Sequence, residues 1–324
     1  MRRTYAFLLG AAVLPFLLAA AGTPLPRRGL SSGAPKIEAA QASGVRTMRF
    51  GGRTRSYVVR APRGAAGSAT PLPLVIVMHG GGGNAANAEQ MTGFTALVER
   101  ERVIVVYPEG TSRRERIRLY TWNAGHCCGS AMEQQVDDVG FVNAMLDSLA
   151  HDYPLDATRI YATGMSNGAM MSHRLGRELS HRIVAIAPVV GAVFGDEHIP
   201  PNAVSAIMIN GVRDKAVPME GGQTNGRFGN AWDGTPTQPN IAQGTFWAKA
   251  NGCATTPTRE ERGADITTRW SCPSGRRVEL HQLTDNGHAW PGGQRGSRLG
   301  DAPTTAMQAT EDIWAFFKTV VRPR

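Results

Sequence analysis

Cysteine is scarce in this chain: four residues in 324, at positions 127, 128, 253 and 272. No CxxC pair and no histidine-rich cluster accompanies them, which excludes a zinc finger or ribbon and leaves no candidate metal ligands. Glycine-rich stretches occur, but none ends in Gly-Lys-Ser/Thr, so a nucleotide phosphate loop is excluded. No basic repeat and no aromatic-basic array is present, which argues against nucleic acid as a partner. Beyond residue 21 no apolar run approaches the roughly 20 residues that cross a bilayer, so no stable membrane insertion is expected. No internal repeat appears, and nothing in the sequence asks for a cofactor.

What is present begins at the N-terminus. Arg2 and Arg3 precede an apolar run that ends in Leu-Leu-Ala-Ala-Ala-Gly. A basic start, a short apolar core and small residues at its end describe a secretory signal peptide over residues 1–21, which makes the protein secreted or periplasmic. Residues 22–44, rich in proline, glycine and serine, read as a flexible linker. Residues 45–324 read as one domain, expected to be monomeric. Export leads to an oxidising compartment where disulfides form. Cys253 and Cys272 flank a stretch that reads as a hairpin and are the natural pair. Cys127 and Cys128 are then left adjacent. A bridge between neighbours is strained, so free thiols or another arrangement stay open. The formal net charge is +9, carried almost entirely by scattered arginines. Their one cluster, Arg113, Arg114, Arg116 and Arg118, reads as a solvated loop.

Short apolar strands alternate with amphipathic segments. Residues 45–60 read as a hairpin turning at Gly51-Gly52. Strands are expected at 74–78, 103–107, 160–163, 183–187, 206–210 and 278–283. Helices are expected at 88–100, 139–149, 167–179, 243–250 and 305–320. Asp137 and Asp138 suit the start of the second of these, where carboxylates meet the positive end of the helix dipole. Such alternation implies a mainly parallel sheet covered by helices on both faces.

The chemistry lies in the loops. Gly164-Met165-Ser166-Asn167-Gly168 stands between a strand and a helix, the setting in which Gly-x-Ser-x-Gly makes a nucleophile elbow of the α/β-hydrolase fold. A serine hydroxyl is a poor nucleophile until a base takes its proton. In this fold the acid and then the base follow the serine in sequence. His288, in the glycine-rich loop after strand 278–283, is the candidate base. His173 lies in the helix after the elbow, and His281 lies inside a strand. Asp214, after strand 206–210, is the candidate acid. Asp285 suits turn formation better, and Asp137 and Asp138 precede the serine. His79-Gly-Gly-Gly-Gly83 follows an early strand and can aim an N–H at a developing oxyanion, Gly81 first and Gly82 second. Asn167 supplies the other donor.

Together these segments, with Tyr107-Pro-Glu-Gly110, Asp137-Asp-Val-Gly-Phe141 and Gly287-His-Ala-Trp-Pro-Gly-Gly293, resemble the polyhydroxybutyrate depolymerase/feruloyl esterase family, related to carbohydrate esterase family 1. The resemblance runs from about residue 45 to 317. It implies a serine esterase whose catalytic domain is 45–324, with Ser166, Asp214 and His288 as triad and Gly81 and Asn167 as oxyanion hole. It implies that Trp290 and Trp122 line the acyl or polymer site; Phe194, Phe228 and Trp232 are further aromatic candidates. The extracellular polyester depolymerases carry an added linker and binding module for which this chain leaves no room. The expected partner is therefore a small-molecule or polymer-linked ester of feruloyl, acetyl or 3-hydroxyalkanoate type. Polyester depolymerase and oxidised poly(vinyl alcohol) hydrolase are the alternatives in the same class. A non-catalytic polymer-binding protein on the same fold is the alternative of another class.

Overall fold

A computed structural model describes residues 44–113, 118–223 and 231–322. The expected signal peptide and nearly all of the linker, along with Arg114, Arg116 and Phe228, lie outside the described residues.

The central strands form where the sequence is mostly apolar. Strands β3 (Leu72–Met78), β4 (Ile104–Pro108), β6 (Ala185–Val189) and β7 (Ser205–Gly211) are buried throughout, as strands covered on both faces must be. The hairpin β1 (Gly44–Phe50) and β2 (Arg53–Arg60) alternates instead, as an edge does. With β5 (Leu155–Met165), β8 (Thr258–Arg262), β9 (Asp265–Trp270) and β10 (Val278–Leu283), the described strands make one sheet in the order β1-β2-β4-β3-β5-β6-β7-β10-β9-β8. The central strands from β4 to β10 are parallel, and the hairpins at either end are antiparallel.

Alternation along β3 divides the interior in two. Leu74, Ile76 and Met78 face a core completed by α4 (Asp138–Asp152), which follows the one-turn α3 (Gly129–Glu133), and by α5 (Asn167–Glu178) and α6 (Ile241–Ala250). Val75 and Val77 face a second core under α1 (Ala85–Thr92), α2 (Leu97–Glu101) and α7 (Ala309–Lys318). This is the α/β-hydrolase architecture expected from the sequence. Helices α4 and α6 run slightly longer than expected, and two other helices differ more. The segment expected as one helix over 88–100 breaks at Gly93, which caps α1 at φ 69° before a turn of 3-10 helix, Phe94–Ala96, leads into α2. The last helix is shorter at both ends than 305–320.

Two charge clusters brace the sheet. Asp138, in the first turn of α4, is wholly buried and accepts from Arg55 Nη2 at 2.7 Å and from the Asn123 N–H at 2.8 Å. The Arg55 guanidinium lies 3.9 Å from the centre of the Phe141 ring. Burial lowers the pKa of Arg55 and raises that of Asp138, and each is held charged against that trend by the other. Removing one partner of such a pair leaves a bare buried charge. Asp138→Asn should therefore cost about 3–5 kcal/mol in urea unfolding; a loss below about 1 kcal/mol would show the pair to be dispensable.

On β10, His281 Nδ1 bonds Asp265 Oδ2 at 2.8 Å, and its Nε2 is 3.8 Å from Glu279 Oε2. Burial alone would lower the His281 pKa, but the two carboxylates raise it to about 9. The cation is thus favoured in the fold over the unfolded chain, where histidine titrates near 6.5. The stabilisation, on the order of 3 kcal/mol, is full below about pH 6.5 and lost as pH rises through 9. Unfolding free energy measured from pH 6 to 9.5 should fall by that amount more in the native protein than in His281→Gln. Equal slopes would refute the assignment.

Candidate active site

Strand β5 ends at Met165, and α5 begins at Asn167. Ser166 alone makes the turn, at φ 57° and ψ −121°, a left-handed conformation that costs a non-glycine residue about 1–3 kcal/mol. Its N–H is anchored to Val189 O of β6 at 3.0 Å. The turn is this sharp because β5, α5 and the end of β3 touch through backbone. A Cβ on Gly164 would fall 2.7 Å from the Gly168 carbonyl group, and one on Gly168 would fall 2.5 Å from His79 O. The two motif glycines are therefore required by close approach. The Ser166 hydroxyl makes no hydrogen bond among the described residues.

The loop after β3 lies against this turn. Gly82 N–H donates to Tyr120 O at 2.8 Å and Gly83 N–H to Gly80 O at 2.9 Å, so both are spent. Gly81 N–H has no partner among the described residues. This favours Gly81 over Gly82 as the donor for a bound oxyanion. Its direction is fixed by a residue whose side chain the sequence reading gave no role. His79 is wholly buried; its Nε2 accepts from Gly110 N–H at 3.0 Å, which places the proton on Nδ1, and Nδ1 donates to Gly80 O at 2.8 Å. Burial pushes the His79 pKa down to about 4, so the ring is neutral. The peptide is planar and trans, so holding Gly80 C=O aims Gly81 N–H the opposite way. Asn167 N–H, first in α5, has no acceptor within the helix. The Asn167 side chain clamps Trp122, accepting from its N–H at 2.7 Å and donating to its carbonyl at 3.0 Å.

Strands β7 and β10 are parallel neighbours and end at the same edge of the sheet. Asp214, in the turn after β7, accepts the N–H groups of Ala216 and Val217 on Oδ1, each at 2.8 Å. Its Oδ2 is 2.7 Å from His288 Nδ1. The structure thus brings Asp214 and His288 together. It does not join Ser166 Oγ to His288 Nε2 by a hydrogen bond; such contacts tighten when substrate binds. His288 N–H donates to Asp301 Oδ2 at 2.7 Å. Nothing in the sequence marks Asp301, which follows the histidine by thirteen residues in an irregular loop. Asp285 instead receives Thr304 Oγ1 at 2.7 Å, a loop-internal bond.

The two tryptophans expected to line the site do not. Trp290 is 1% exposed, packs edge-on against Phe94 and donates to Thr310 Oγ1 at 3.0 Å. Trp122 is fully buried, lies 4.9 Å from the His79 ring and donates to His79 O at 3.0 Å. With no surface to offer, they are braces beneath the loops. Phe194 and Trp232, a T-shaped pair, are also largely covered. Cys253 and Cys272 form the expected disulfide around the β8–β9 hairpin. The side chains of Cys127 and Cys128 lie together, buried beneath the Trp122 segment.

Residues 55–227, more than half of the chain, match the family described as esterase PHB depolymerase. The putative esterase NocK of Nocardia uniformis subsp. tsuyamanensis is 29% identical over 284 residues, covering 84% of this chain and 78% of that protein. Feruloyl esterase B of Piromyces equi is 28% identical over 249 residues, covering 75% of this chain and 44% of that protein, so the chain spans less than half of its length. The structure of an acetyl xylan esterase from Aspergillus awamori superimposes with a TM-score of 0.58 at 13% identity, over 85% of this chain and 99% of the other, a likeness of fold alone. The elbow, the loop after β3 and the sheet order therefore stand in a known setting: this chain belongs to the esterase PHB depolymerase family of carboxylic-ester hydrolases, with the α/β-hydrolase fold.

Proposed function

We propose that the protein is a secreted or periplasmic serine esterase whose single catalytic domain, 45–324, works through an acyl-enzyme on Ser166. The observation that carries this reading is the 2.7 Å bond between Asp214 Oδ2 and His288 Nδ1, at the sheet edge where Ser166 stands on its strained turn. His288 takes the Ser166 proton as Oγ attacks the ester carbonyl. Asp214 holds the imidazole in the right tautomer and stabilises its cation. The tetrahedral oxyanion accepts from Gly81 N–H and Asn167 N–H, each donor contributing on the order of 3 kcal/mol. His288 returns the proton to the leaving alcohol. Water, activated by the same base, then frees the acid. The reaction asks for no cofactor.

The substrate is a soluble or polymer-linked ester of feruloyl, acetyl or 3-hydroxyalkanoate type. The name of the Piromyces equi relative supports the feruloyl group, and the family description supports the 3-hydroxyalkanoate type. The Cys253–Cys272 disulfide supports an oxidising compartment.

Ser166→Ala should lower kcat on p-nitrophenyl acetate by about 10⁴-fold or more with an unchanged unfolding midpoint, and should abolish labelling by a fluorophosphonate probe. Activity within tenfold of wild type would overturn the mechanism. With feruloyl, acetyl and 3-hydroxybutyryl esters supplied separately, at least one should release free acid at a rate that an added alcohol acceptor does not divert. Preferred transfer to the acceptor would make the protein a transferase.

A further inference from the structure

A catalytic base carried on a loop is only as well aimed as its backbone is fixed. Between β10 and the end of its loop, His288 is surrounded by bonds that none of the catalytic steps uses. Asn286 has no exposed surface. Its Nδ2 donates to Gly287 O at 3.0 Å and to Ala289 O at 3.1 Å, the carbonyls on either side of His288. Its Oδ1 accepts Thr304 N–H at 3.1 Å. Its own carbonyl accepts from Arg213 N–H at 3.0 Å, the residue before Asp214. One buried residue therefore links the peptides flanking the histidine to the segment beyond the loop through its side chain, and to the turn bearing Asp214 through its backbone carbonyl. The two loops are in backbone contact here, since a Cβ on Gly211 would fall 2.4 Å from the carbonyl oxygens of Asn286 and Gly287. The remaining N–H, that of His288 itself, is held by Asp301 from the far side.

We propose that Asn286 and Asp301 are positioning residues that aim the His288 imidazole; the proposal rests on the reading of His288 as base and acid in ester cleavage. A buried asparagine with this many partners also serves folding. What sets these two apart is that their bonds fall on the three consecutive residues centred on the base. With them in place, Nδ1 has only to meet Asp214 for Nε2 to be aimed. Without them the loop tilts, and proton transfer suffers more than substrate binding.

The test exploits the two jobs of His288. Cleaving a p-nitrophenyl ester needs it as base only, because nitrophenolate leaves unprotonated. Cleaving an ethyl ester of the same acid also needs it to deliver a proton to the leaving alcohol. In Asn286→Asp, which keeps size and the acceptor but loses both donors, kcat/KM should fall by about 10-fold on the p-nitrophenyl ester and about 100-fold on the ethyl ester, a scale typical of a misplaced catalytic group. Affinity for the free acid product should change less than about twofold. Asp301 is exposed, so Asp301→Ala keeps the fold if Asn286→Asp does not, and should shift the same ratio in the same direction. An unchanged ratio of the two esters in every folded variant overturns the proposal, as does a loss of activity that merely tracks the folded fraction. His288→Ala separates the two levels. If it stays active, the reading of His288 has failed. If it is inactive while Asp301→Ala and Asn286→Asp keep the wild-type ratio, only the positioning role has failed.

Discussion

Much of the site rests on one contact, the backbone-to-backbone approach of the Ser166 turn to the carboxyl end of β3. Glycine at 164 and 168 lets β5 and α5 close on Met78 and His79, and that closure holds Ser166 in a left-handed conformation it would not adopt unaided. The strain is small beside the burial of β5 and of the apolar face of α5, so the fold imposes it. The same contact sets the distance from Ser166 to the glycine-rich loop at 80–83, because that loop is the continuation of β3. The Cβ a residue at Gly80 would carry lies 3.5 Å from Ser166 Cβ.

Strand order explains why the remaining groups arrive at this place. From β3 the chain moves outward to β4, then returns to lay β5 on the other side of β3. The helices that follow β3 and β5 pack on opposite faces of the sheet, which makes this the switch point where ligands of open α/β sheets bind. Strands β6, β7 and β10 extend the parallel array away from it, so loops after β7 and β10 emerge on the same edge. Asp214 and His288 then need only short turns to meet.

Much of this was legible in the sequence because it follows from local signals. Apolar runs gave the central strands, glycine spacing gave the elbow, and chain order separated Asp214 and His288 from competing residues. The errors share a physical cause. Trp290 stands two residues from His288 and reads as part of a binding wall, yet its burial is decided by Phe94 and Thr310, which are remote in sequence. The bonds of Asn286 to Thr304 and of His288 to Asp301 likewise join segments with no fixed spacing. His79 was visible as part of a glycine-rich loop, but its role depends on Gly110, thirty-one residues away. Gly93 was the exception: a glycine inside a helical pattern is a local signal, and the helix does end there.

Three asparagines recur among the residues that hold the loops. Asn123 binds Val136 O and Gly125 N–H, Asn167 binds both polar groups of Trp122, and Asn286 brackets His288. An amide offers donor and acceptor together and carries no charge, so it satisfies buried backbone groups without desolvating an ion. That neutrality matters beside an ester, where charge must appear during the reaction and be met by groups already in place. In the proposed site, a lysine or arginine in place of Asn167 or Asn286 would bring a fixed cation beside Gly81 and compete for the oxyanion. It would also disfavour the imidazolium that His288 must become. Neutral His79 follows the same logic. In the proposed site, Asp214 is then the one buried charge directly bonded to the base, and it has the sign that proton transfer to His288 requires.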